Sequence, residues 1–114
     1  MRTLKCMPSR DTSDVAIPDV AELDLFVIMD ALSGPARRSI VLALAERDGV
    51  PCGQFGLSIA KSTAARHFRV LLEAGLIRQW DDGNIKRNGL RRDEIEHRFP
   101  GLLDLVLREA RTTR

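Results

Sequence analysis

The chain has 114 residues, 44% of them hydrophobic and 30% charged, with 18 Lys and Arg against 16 Asp and Glu for a net charge of +2. That length fits one small domain with one core and excludes two independent ones; no apolar run is long enough to span a bilayer. A net charge this small permits a polyanionic partner only if the positive side chains are clustered.

The start, MRTLKCMPSR, is basic but has no apolar stretch behind it, so a signal peptide is not expected and the cytoplasm is the expected compartment. Two cysteines, Cys6 and Cys52, are too few for a disulfide framework and form no CxxC pair, which suits a reducing environment. With only two histidines besides, a structural zinc site lacks four suitably spaced ligands. No metal or cofactor is expected.

Residues 1–18 are polar, contain Pro8 and Pro18 and lack periodicity, so they read as a flexible arm. A single domain is expected over residues 19–114. VAELDLFVIMDALS then reads as a helix whose apolar residues, among them Leu25, Phe26 and Met29, point in nearly every direction. A helix apolar all round needs cover on more than one side, and in so small a domain a second subunit can supply it. SGPARRSIVLALAERDG starts with a proline suited to the first helical position, carries Ile40, Val41, Leu44 and Ala45 on a core stripe and stops at Gly49. VPCGQFGLSIA, with glycines at 53 and 56, supplies at most a turn or two of helix.

Residues 62–74 form the clearest helix, started by Lys61 or Ser62 and ended by Gly75 in the left-handed position. LIRQWDDGNIKRNGL gives two short strands around Asp82 and Gly83, a tight hairpin across which Trp80 packs. The remainder reads as a short helix, a break at Pro100 and a last helix in which Leu102, Leu103, Leu105, Val106 and Leu107 cover a wider arc than one core face needs. A partner helix is again implied.

At 100° per residue, Ala64, Phe68, Leu71 and Gly75 share one side of the helix at 62–74, while Ser62, Arg66, Arg69 and Glu73 share the opposite side. The outward face near its start presents Lys61, Ser62, Thr63, Ala65, Arg66 and Arg69. Small residues there allow close approach, and arginine forks match phosphates or guanine edges. That is the make-up of a helix that enters a DNA major groove. The order helix, helix, hairpin is that of a winged helix-turn-helix, a mainly α (α+β) fold with a two-stranded β-hairpin wing. Asn84 at the wing tip, with Lys86 and Arg87 on the returning strand, would meet phosphates; Asp81 and Asp82 cut the other way, since phosphates repel them, unless Asp82 is there only for the turn.

ALSGPARRSIVLALAE followed by KSTAARHFRVLLEAGLIRQ and the wing DDGN resembles the ArsR family of bacterial winged-helix repressors, over about residues 24–110. The resemblance implies a homodimer that binds a partly palindromic operator in double-stranded DNA and represses a nearby gene. It also implies that the first and last helices form the dimer interface, here through Leu25, Phe26, Met29, Leu102, Leu105 and Val106. The family's Ser-Thr-x-Ser-His-His pattern falls on Ser62, Thr63, Ala65, Arg66 and His67. Arg66 stands for a histidine and Ala65 for a serine, so the bases read differ from those of typical members. Neither of the family's metal-site types is intact: Cys52 stands alone and the last helix has no histidine. The inducer, small molecule or metal, is not identified.

The alternative is a winged helix used only for protein–protein interaction, which the low net charge and acidic wing tip favour. An enzyme is not expected, because no nucleophile elbow, phosphate loop or carboxylate pair is present. His97, among acids but with no second histidine at helical spacing, reads as a surface residue.

Overall fold

Asp24 divides what the sequence presents as one apolar helix. The computed structural model describes residues 16–112, and the expected arm falls mostly outside them. Val20–Glu22 forms a 3-10 turn, and the Asp24 side chain then accepts from the Phe26 and Val27 amides at 2.9 and 3.2 Å to start helix α1, Leu25–Ala31. An aspartate that satisfies two first-turn N–H groups is a helix start, and it overrides the apolar run around it.

Helix α2, Pro35–Glu46, begins at its proline, as expected. Val50–Pro51 forms a short strand, β1, and Cys52–Gln54 a 3-10 turn. Helix α3 spans Lys61–Ala74. Strands β2, Ile77–Asp82, and β3, Ile85–Leu90, make the wing; helices α4, Arg92–Arg98, and α5, Leu102–Thr112, complete the described chain. Among the described residues, five α-helices and an antiparallel sheet, ordered β1-β3-β2, form an α+β winged helix. The sheet has three strands where the sequence promises two.

The wing turn consists of Gly83 and Asn84, because Asp82 pairs with Ile85. Gly83 has φ of 65° while among the described residues no non-glycine has positive φ, the pattern of a II′ turn, whose twist matches that of the flanking strands.

Phe68, Leu71 and Leu72 of α3 sit fully buried with Ile28 of α1, Ile40 of α2 and Ile95 of α4. Phe55, from the irregular segment before α3, packs edge-on against Phe68 with centroids 5.2 Å apart. Helix α3 ends in a Schellman motif: the Gly75 amide donates to Leu72 O and the Leu76 amide to Leu71 O, with Gly75 at φ 82°. No other residue fits there, since a Cβ would run into Leu23 and lie 2.9 Å from Pro18 Cγ.

Candidate nucleic-acid interface

The core stripe of α3 fixes which side of the helix remains outside. Phe68, Leu71, Leu72 and Ala74 are buried, leaving Lys61, Ser62, Thr63, Arg66 and Arg69 exposed. Among the described residues no side-chain hydrogen bond or ion pair engages Lys61 or Arg66, so both cations are available to an external anion. Arg69 is shared with Glu73, Nε to Oε2 at 3.3 Å with both side chains nearly half exposed, a pairing too solvated to hold the arginine strongly. Ala65 is partly buried against the core rather than on the free face. Ala60 precedes the helix and contributes no capping side chain, so a phosphate at this end would meet uncapped first-turn N–H groups.

His67 lies at the border of the two faces, half-buried, with Nδ1 3.1 Å from Arg37 Nη1. Burial lowers its pKa, and the positive charges of Arg37 and Arg66 lower it further. The ring is therefore held toward its neutral form.

The wing is arranged differently from its sequence-based reading. Lys86 is buried at 5% exposure, with Nζ 3.0 Å from Asp81 Oδ1, so it does not stand out as a solvent-facing cation. Arg87 donates through Nε to Asp82 Oδ2 at 2.7 Å and through Nη1 to Gly49 O at 2.9 Å. Asp81 and Asp82 thus take up the two cations of β3, while Arg78 of β2 pairs with Asp48. Antiparallel alternation explains the burial: Lys86 lies on the same face of the sheet as Asn88 and Leu90, which point to the interior. Only Asn84, at the tip, is an exposed wing candidate.

Beneath the wing, Asn88 is fully buried, donates through Nδ2 to Val50 O at 3.0 Å and accepts from Gln79 Nε2 at 2.8 Å. Both amides also approach Cys52 Sγ, at 3.3 and 3.7 Å. Trp80 lies across from Arg87, beside Gly49 and Gly89, with the Arg78 guanidinium 4.6 Å from its ring centroid. Cys6 lies outside the described residues.

The residues assigned to an interface separate by exposure. Phe26 is 75% exposed and Met29 50% on α1, and Leu105 is 53% exposed on α5, with Leu25, Leu102 and Val106 half-buried beside them. On α5 the opposite side, Leu103, Leu107 and Ala110, is core.

Sequence reasoning missed Arg37 and Arg38. Arg37 Nε donates to Ala31 O, and Arg38 Nη1 donates to Leu32 O and Ser33 O at 2.9 and 2.8 Å, so two arginines of α2 satisfy carbonyls at the end of α1 and in the turn just after it. A signal for this was present. The first turn of α2 holds no acidic residue and two arginines, the reverse of what its dipole favours, which implies that they serve a neighbouring element.

An α3 with an open outward face, an apolar side in the core and a hairpin behind it defines a helix-turn-helix protein. Residues 32–79 match the helix-turn-helix domain family. The chain is 36% identical over 82 residues to YceK, an uncharacterized HTH-type transcriptional regulator of Bacillus subtilis (strain 168), an alignment covering 69% of this chain and 82% of that protein. The chain belongs to the helix-turn-helix transcriptional regulators.

Proposed function

We propose that this regulator is a homodimeric repressor of the ArsR type, which lays the first turns of α3 into the major groove of a partly palindromic operator. The observation that carries the reading is the exposed group Lys61, Ser62, Thr63 and Arg66 on one side of α3, with neither cation engaged by another described residue. Arg66 reads a base edge, Ser62 and Thr63 bond to the backbone or bases, and Lys61 neutralises phosphate. Arg69 joins them by exchanging Glu73 for a phosphate. The wing contributes through Asn84, and through Arg87 only if the duplex displaces Asp82.

Dimerisation is supported by the large apolar side chains that the two helices leave in solvent, Phe26 and Met29 on α1 and Leu105 on α5. Exposed side chains of that size beyond the core mark an interaction surface. Two copies would present two α3 helices to successive major grooves, which is why a palindromic site follows.

The test is the salt dependence of binding to DNA. Affinity should fall steeply with salt, with a log–log slope of about −0.9 for each phosphate neutralised. Binding to a protein partner that ignores salt, with no retention of duplex at low salt, would favour the interaction-module reading instead.

A further inference from the structure

Arg37 is a cation in the first turn of α2, where helix electrostatics oppose it, and its side chain connects two other helices. Its Nε donates to Ala31 O at the end of α1, and its Nη1 lies 3.1 Å from Nδ1 of His67 on α3. A guanidinium offers donors only, so Nδ1 must be the acceptor and the proton of the neutral ring must sit on Nε2.

Room for this arrangement is made by Gly34. Its φ is −87°, which any residue adopts, so the backbone does not call for glycine there. The three atoms that a Cβ at Gly34 would meet all belong to Arg37, Nη2 being 3.1 Å away. Among the described residues nothing takes His67 Nε2. The half-buried ring stands next to Arg66, at the edge of the exposed side of α3.

We propose that Arg37 is a positioning residue for DNA binding, which fixes His67 as a donor through Nε2–H toward an acceptor on the duplex, a phosphate oxygen or a purine N7. The proposal rests on the DNA-binding reading above. It makes His67 a donor with one defined direction, not a ring that accepts in one complex and donates in another. The cations facing His67 are Arg37 from α2 and Arg66 from its own helix.

The experiment combines nitrogen-resolved NMR of the imidazole with DNA titrations, using the full chain and the variants Arg37→Gln, Arg37→Lys, His67→Ala and the Arg37→Gln/His67→Ala double. In the wild type at neutral pH, Nδ1 should be unprotonated and Nε2 protonated. Arg37→Gln should release the ring to mixed tautomers and raise its titration midpoint, and Arg37→Lys, which keeps a cationic donor, should restore the Nε2–H form in part. On DNA, Arg37→Gln and His67→Ala should each weaken binding about tenfold, and the double should lose no more than the worse single. Equal losses on specific and non-specific duplexes would assign the acceptor to phosphate, and a loss confined to the specific site would assign it to N7; both agree with the proposal. A wild-type ring protonated on Nδ1, or losses that multiply in the double variant while the wild type binds DNA, would overturn this proposal alone. Failure of the wild type to bind any duplex would overturn the DNA-binding reading and this contact together.

Discussion

Asn88 of β3 is tied to β1 through its side chain, Nδ2 donating to Val50 O at 3.0 Å from a position with no solvent exposure. Its Oδ1 accepts from Gln79 Nε2 at 2.8 Å, so one amide serves groups on both neighbouring strands. Replacing Asn88 with Ala deprives a buried carbonyl and a part-buried amide of this partner and should cost about 2–3 kcal/mol. Denaturant unfolding measures the cost. A loss within experimental error would mean that the amide does not hold the wing to the body of the domain.

Arg66 is the exposed arginine of α3 that no described acid neutralises. Arg66→Ala should weaken binding to a specific site by about 1–3 kcal/mol and blur the preference at one base pair. Titrations against the specific site and a scrambled duplex distinguish the roles. An equal loss on both would make Arg66 a phosphate contact.

Leu105 is 53% exposed in the middle of α5, opposite the core side formed by Leu103 and Leu107. Because it contributes little to the monomer's core, Leu105→Glu should leave the fold intact while turning dimers into monomers and abolishing tight operator binding. Sedimentation and circular dichroism report the two effects separately. A variant that remains dimeric would move the interface away from α5.

Acid should weaken the fold in two stages. His67 has its pKa lowered from the ordinary 6.5 by burial, Arg37 and Arg66, and Glu94 has its own lowered from 4.5 chiefly by the hydrogen bond from Arg91. In both cases the unfolded chain takes up protons first as pH falls, so stability is complete above the ordinary value and declines below it until the folded group also protonates. Unfolding free energies measured between neutral and acid pH should therefore drop first through the imidazole range and again through the carboxylate range. His67→Gln should remove the first stage and Glu94→Gln the second. An unchanged first stage in His67→Gln would assign it to another group.

Where function depends on one helix, the sequence was legible. The 3.6-residue period of α3 and the left-handed Gly75 place its two faces without reference to the rest of the chain, and Gly83 places the hairpin in the same way. The division at Asp24 was legible too, as a capping residue inside an apolar run, but the run masked it. Strand β1 was not, since two residues including a proline carry no period and exist only because Asn88 and β3 receive them. The partners of the wing cations were not legible because hairpin register decides them: once Gly83 and Asn84 are the turn, Asp81 must face Lys86. The contact of Arg37 with His67 spans 30 residues of sequence, beyond the reach of any local pattern.

The central claim is that the exposed side of α3 reads a DNA sequence. The most direct measurement is to retain fragments of the source genome on the purified chain at moderate salt and sequence them, beside an Arg66→Ala control. One inverted-repeat site upstream of a few genes should be enriched, and that enrichment lost or broadened in the control. Retention of nothing, or of all fragments alike, would contradict it.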